Sequence, residues 1–231
     1  FLDEHLEDER MHGFKETADG SGLRRSNPHM HLLEASLAWH RVDQGGGHLA
    51  RAKEIVALFE TRFTAGPGGL LGEHFAPGWA LPEGRDADVV EPGHQFEWVW
   101  LLHEFARAAD VPVPPAAEVL YAFACKTLDS EGRALMEVSR DGAVIDGSRR
   151  TWSQTEALKA HLARFAATGD ERFAAAACLS FDVLMDEFLT PEGGWIDHYD
   201  AEGLPLARHM PASTGYHVVL AFADLLRVMD T

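Results

Sequence analysis

Four segments of this 231-residue chain place ionisable side chains where they could move a proton or hold a hydroxyl group. His31 and Glu34 lie in NPHMHLLEA, His94 and Glu97 in PGHQFEWVW, Glu156 in TWSQTEALKA and His217 in TGYHVVLAF. A histidine and a carboxyl three residues apart share one helix face, with Asn27 or Ser26 as the cap that starts the first helix. An imidazole in reach of a carboxyl is a general acid/base device for neutral pH. His94 follows Pro92-Gly93 at a sharp helix entry, where the helix dipole is expected to favour the neutral imidazole and make it a base. Glu97 would fix its tautomer or bind a hydroxyl. Trp98, Trp152, Gln154 and Glu156 suit a sugar: indole faces stack on C–H faces, while amides and carboxyls take hydroxyl groups.

Each segment also has a plainer reading. His29 and His31 with a carboxylate match a zinc-ligand pattern, or one of them packs in the core and the other meets solvent. Glu156 fits a capping box behind Thr151 or Ser153. His217, on the apolar run VVLAFADLL, reads alone as a core residue. The spacing argues for a set: Glu34, Glu97, Glu156 and His217 recur at steps of 63, 59 and 61 residues. A period near sixty is too long for the common short solenoids and fits a helix pair plus a substantial loop. Closing such units around an axis would gather His31, His94, Glu97, Glu156 and His217 at one end.

The elements that must do this are seven helix-period runs, near 29–42, 49–63, 93–109, 115–128, 152–168, 171–189 and 211–229. In the second, Leu49, Ala52, Val56, Phe59 and Phe63 mark one apolar face, opposite Arg51, Lys53, Glu54, Glu60 and Arg62. Pro28, Pro92 and Pro211 stand at or just before helix starts, where a missing N–H costs nothing. Between pairs, GGLLGEHFAPGWAL, GRALMEVSRDGAVI and GGWIDHYDAEGLPL read as short hairpins around APG, RDG and AEG. Residues 1–20 read as a degenerate version of that unit. The expectation is one all-α domain over 1–231, an open arc of helical hairpins.

Hydrophobic residues at 46% and charged residues at 25% suit a globular chain. A net charge of −17 disfavours nucleic acid or an anionic membrane as partner. No apolar run reaches eighteen residues. The two cysteines, Cys125 and Cys178, sit in Ala-rich helical stretches, so a reducing compartment is expected. The chain opens at Phe1 with no charged-then-apolar leader, and a cytoplasmic location is expected.

Taken in order, NPHMHLLEA, PGHQFEW, WSQTEALKA and the Met210-Pro211…Tyr216-His217 segment resemble the N-acylglucosamine 2-epimerase family, which includes cellobiose 2-epimerases and mannose isomerases. The resemblance runs from about residue 24 to the end. It implies an (α/α)6 barrel of twelve helices, of which this chain holds about seven, lacking the N-terminal ones. It further implies metal- and cofactor-independent chemistry in which two histidines, here His94 and His217, exchange the proton on carbon 2 of an open-chain sugar through a cis-enediolate. His31 corresponds to a further active-site histidine, and Asn27, Glu34, Glu97, Trp98, Trp152, Gln154 and Glu156 are expected around the substrate. The family also uses an arginine and aromatics from N-terminal helices, and no residue here corresponds to them. The implied substrate is a mono- or disaccharide; the NPHMH form of the first motif leans toward a free mannose-type sugar. Without a Gly-rich strand-to-helix loop bearing Lys, no phosphate site is expected, although Arg24-Arg25 and Arg149-Arg150 could hold an anionic sugar. A non-catalytic sugar-binding module or a truncated relic is the alternative. An open arc also exposes apolar helix faces, so a longer chain or a homodimer is expected to cover them.

Overall fold

In the computed structural model, which describes residues 1–8, 10–207 and 209–230, each of the seven expected helices forms. They are α1 (Asn27–Val42), α2 (His48–Leu58), α4 (Pro92–Ala109), α5 (Ala116–Lys126), α6 (Thr151–Thr168), α7 (Glu171–Val183) and α8 (Ala212–Met229); a single turn, α3 (Arg85–Asp88), precedes α4. α2 and α7 run on as π-helical turns, Phe59–Phe63 and Leu184–Phe188. Pro28 and Pro92 occupy the first turns of α1 and α4. The Asp170 carboxylate caps α7 by accepting from Arg172 N. α6 stops at Gly169, whose φ of 67° suits a residue without Cβ.

The helices form two layers. α1, α4, α6 and α8 carry the four polar clusters, while α2, α5 and α7 pack behind α1, α4 and α6 respectively. The inner position shows most clearly in α6, buried at every residue from Thr151 to Arg164. That stretch includes Gln154, Glu156, Lys159, His161 and Arg164, and polar groups enclosed on this scale must find partners within the fold. One apolar core, with Phe59, Phe63, Trp79 and Trp98 at its centre, joins α1, α2 and α4; a second, with Leu158, Leu162, Leu184 and Phe188, joins α6 to α7 and α8.

Short antiparallel strands hold the inner helices in common register. β1 (Arg24–Arg25) leads into α1 and pairs with β2 (His74–Phe75). β3 (Val89–Val90) leads into α4 and pairs with β4 (Glu137–Ser139). β6 (Arg149–Arg150) leads into α6 and pairs with β7 (His198–Tyr199). The entries of α1, α4 and α6 are thus each tied to the loop that follows their own helix pair. Of the three expected hairpins only the RDG one forms as a full ribbon, β4 with β5 (Val144–Asp146). At APG a 3₁₀ turn, Pro77–Trp79, replaces the second strand, because β2 is taken by β1. At AEG a lone bridge, Tyr199 to Pro205, closes the turn. Two glutamines add a second tie. Gln95 accepts from Leu71 N at 3.2 Å, and Gln154 both accepts from Ala134 N and donates to Ala134 O at 2.8 Å. Among the described residues no helix is long and apolar enough to cross a membrane.

Candidate active site

The N-terminal ends of α1, α4, α6 and α8 surround a cavity of about 360 Å³. Asn27, His31, Glu73, Glu91, His94, Glu97, Trp152, Tyr216 and His217 line it. The clusters spaced by some sixty residues do meet at one end of the arc.

His94 is 7% exposed. Its Nδ1 lies 2.8 Å from Glu73 Oε2 and 3.6 Å from Glu91 Oε2, and its Nε2 lies 3.1 Å from the Asn27 amide. Glu73 immediately precedes β2 and also accepts from Glu91 N at 3.1 Å. Burial by itself would lower the proton affinity of His94, but Glu91 and Glu73 outweigh it and raise the pKa to about 10. Glu91 and Glu73 thus favour the imidazolium over the neutral imidazole expected from the helix dipole, since two close carboxylates outweigh the half-charge of a helix end, and the Asn27 amide then turns its oxygen to accept from Nε2. Glu91 is itself pushed up to about 7, by burial first and by Glu73.

His217 has a different support. Its Nδ1 meets Glu156 Oε1 at 2.7 Å, and the other oxygen of Glu156 lies 2.8 Å from Lys159 Nζ, both residues being fully buried. Burial would raise Glu156, yet Lys159 and the bond to His217 hold it below the ordinary carboxylate range. Glu156 is committed to these two partners and caps nothing. Glu97 faces it from α4 with both oxygens buried and without a hydrogen bond among the described residues. Burial first, then the Glu156 charge, raises Glu97 well above the usual range, and Lys159 offsets this only in part. His31 Nδ1 lies 3.0 Å from Tyr216 OH and 3.7 Å from Glu97, and its ring is 6.1 Å from that of His217.

Trp152 packs near both carboxylate-backed histidines, its ring 5.0 Å from that of His94 and 5.9 Å from that of His217. The imidazoles are consequently no more than about 11 Å apart, within the span of one sugar. Gly93 permits this arrangement: a Cβ there would fall 2.6 Å from the indole.

Of the residues singled out from sequence, Asn27, His31, His94, Glu97, Trp152 and His217 line the cavity, and Glu156 stands directly behind His217. Glu34 faces His31 at 3.8 Å but lies outside the lining. Trp98 belongs to the core instead, fully buried and stacked on Phe59 at 4.2 Å; one residue after Glu97, it points to the outer layer of the helix pair. Gln154 is a structural clamp on Ala134. His29 packs on Phe63 and Trp79, with Nε2 accepting from Phe14 N and Nδ1 donating to Arg25 O, so both its nitrogens are used and the zinc pairing with His31 is not formed.

Glu73, Glu91, Lys159 and Tyr216 were missed. Lys159 had a signal, a lysine one turn after Glu156, and Tyr216 adjoins His217. Glu73 had none, since a loop carries it to His94 from 21 residues away. Glu73, Glu91 and His94, and likewise Glu97, Glu156 and His217, offer ligand atoms within 4.8 Å of one another and could gather a cation. The 2.8 and 2.7 Å contacts in these groups are those of N–H···O hydrogen bonds.

Residues 1–221 match the sequence profile of the family described as N-acylglucosamine 2-epimerase (GlcNAc 2-epimerase). The chain is 37% identical over 211 residues to the mannose-6-phosphate isomerase of Rhizobium meliloti (strain 1021), covering 87% of this chain and 54% of that protein. It is 28% identical over 195 residues to the D-mannose isomerase of Thermobifida fusca, covering 77% and 47%. Its structure is similar to a crystal structure of D-mannose isomerase, with TM-score 0.88 and 23% identity over 98% of this chain and 62% of that one. It is also similar to the cellobiose 2-epimerase of Spirochaeta thermophila DSM 6192, with TM-score 0.82 and 27% identity over 99% and 62%. The chain spans about half the length of the curated relatives it matches.

Proposed function

The chain belongs to the N-acylglucosamine 2-epimerase family, and from that premise we propose that it moves the proton on carbon 2 of an open-chain aldose, as an isomerase or epimerase working through a cis-enediolate. The supporting observation is the pair of carboxylate-backed imidazoles, His94 and His217, both close to the Trp152 indole in one cavity. His94, held as the imidazolium, is the acid of the first step and donates a hydrogen bond to the carbonyl oxygen, stabilising the negative charge of the enediolate while keeping its own proton for the later return to carbon. His217 is the base: it accepts the carbon 2 proton while Glu156 stabilises the charge that develops on the ring. Carbon 2 and carbon 1 of the resulting enediolate are both open to reprotonation. A proton returned to the other face of carbon 2 gives the epimer, and one delivered to carbon 1 gives the ketose. Trp152 supplies an apolar floor, and His31, Tyr216, Asn27 and Glu97 are the hydroxyl-binding groups.

The preferred substrate is a free mannose-type sugar. Both arginines of the cavity wall are already paired, Arg25 with Glu16 at 2.9 Å and Arg150 with Asp197 at 2.8 Å, which leaves little uncompensated positive charge for a phosphate dianion. The second reading, a hexose 6-phosphate, draws on the name of the 37% identical relative and on the presence of those arginines in the wall. Proton NMR in D2O with mannose, mannose 6-phosphate, cellobiose and N-acetylglucosamine tests both. Ketose formation from mannose at a higher kcat/KM than from its 6-phosphate is the expected result. The reverse order would favour the phosphorylated substrate, and neither binding nor turnover of any of the four would favour a relic.

The free thiols Cys125 and Cys178 support a reducing, cytoplasmic setting. The exposed apolar residues Val219, Leu226 and Met229 of α8 and Trp39 and Val42 of α1 support coverage of the open arc by further helices or by a second copy.

A further inference from the structure

Lys159 is among the largest fully buried side chains of the protein, and the proton transfer described above gives it no task. A lysine is almost never completely enclosed unless its charge is balanced. Here one carboxylate oxygen of Glu156 lies 2.8 Å away, and the face of Trp100 lies 3.7 Å away on another side. Trp100 is in turn fixed to α8, its Nε1 donating to Asp224. The ammonium thus sits under the cavity floor, in contact with α6 and α4 at once.

The groups around it come from every inner helix. α1 contributes Glu34 and His31, α4 contributes Glu97, α6 contributes Glu156, and α8 contributes Tyr216 and His217. Ligand atoms of Glu97, Glu156 and His217 all lie within 4.8 Å of one another. Two carboxylates that close, both out of water, cannot both stay ionised beside a single ammonium. Contact with Lys159 and with His217 Nδ1 decides the competition for Glu156. Among the described residues Glu97 has neither contact: its Oε1 lies 3.7 Å from His31 Nδ1 and neither oxygen is hydrogen-bonded, whereas Glu156 has the ion pair with Lys159 at 2.8 Å and the hydrogen bond with His217, and Glu97 borders the cavity.

We infer that Lys159 is a positioning residue for the proton transfer: its ammonium keeps the Glu156 carboxylate ionised against His217 and so leaves Glu97 as the carboxyl that holds a proton and offers an O–H to the bound sugar. The inference rests on the proposed function only for its purpose. The charge arrangement is measurable without substrate. The directions agree with it, Lys159 being raised against its own burial by Glu156, Glu97 and Glu34.

The test is the NMR titration of the His217 C2–H resonance, identified by its loss in H217N, in the wild-type protein, K159M and E97Q. Removing the buried cation leaves the cluster with surplus negative charge, so K159M should raise the His217 midpoint by about one pH unit or more. E97Q, isosteric with a protonated carboxyl, should leave it within about 0.3 unit. A lysine that merely fills space would change the melting temperature and leave the midpoint where it was, and an unchanged midpoint in folded K159M overturns the inference. Should K159M fail to fold, E97Q decides alone: a clear fall of the His217 midpoint would show Glu97 ionised in the wild type and overturn the inference. Absence of sugar turnover, with these titrations as expected, would count against the proposed function and leave the role of Lys159 standing.

Discussion

The two sides of the cavity hold the same pairing, a histidine with a carboxylate at Nδ1, and support it in opposite ways. His94 faces two carboxylates, Glu73 just ahead of β2 and Glu91 at the N-cap of α4. His217 faces one, Glu156, whose charge is balanced from within the helix layer by Lys159. The first arrangement has surplus negative charge and holds a proton tightly; the second is balanced. In the proposed function one device serves as acid on one side and base on the other, and the difference rests on what stands behind the carboxylate. Proton exchange at carbon 2 needs two such unequal groups on one substrate.

Replacing either histidine should have the largest effect. H94N and H217N are each expected to lower kcat/KM by about 10² to 10⁴, the usual range for a general acid or base, with KM changed far less. A milder loss in one than the other would show the two sides to be more unequal than described. Next comes the contrast between E73Q and E156Q. Because Glu73 helps raise His94 to about 10, activity that needs the imidazolium persists until pH passes that value, and E73Q should move this alkaline limb toward neutrality. E156Q should leave the limb in place and lower the plateau rate instead. The same linkage bears on stability. The folded value of His94 lies above its ordinary 6.5, so the pairing contributes in full below about 6.5 and loses its contribution as pH rises through about 10. Thermal melts of E73Q should accordingly lose less stability between neutral and alkaline pH than the wild type does.

G93A acts on the indole that both histidines approach. Its Cβ would meet the Trp152 indole and push it toward the histidines, at a cost of about 1–3 kcal/mol in stability, read as a lower melting temperature, and roughly a tenfold fall in kcat. The smallest effect on catalysis is expected from W98F. Trp98 lies in the core against Phe59, so this substitution should lower the melting temperature and leave KM and kcat unchanged. A raised KM in W98F would place that indole at the sugar after all.

These contrasts also mark what could be read from sequence. The four clusters were legible because helix periodicity and a shared spacing of about sixty residues are local properties repeated along the chain, and the strands β1, β3 and β6 convert equal spacing into a common end of the arc. Trp98 and Gln154 were misplaced because a residue type suited to sugars is also suited to a core or a clamp, and only the packing of α4 on Phe59 and of α6 on Ala134 separates the two. The charge state of His94 was illegible for a different reason. The helix entry that predicts a neutral ring is a sequence feature, whereas Glu73 reaches the ring through the fold of a loop. The same holds for Glu97, whose proton depends on a lysine of another helix.

The most direct test of the acid and base is the fate of the carbon 2 hydrogen. With mannose deuterated at carbon 2, in ordinary water, the wild-type protein is predicted to release deuterium to solvent as ketose or epimer forms, and H94N and H217N are each predicted to suppress that release in step with turnover. Deuterium carried intact from carbon 2 to carbon 1 with no exchange, or release at an undiminished rate in either variant, would contradict proton transfer between these two histidines.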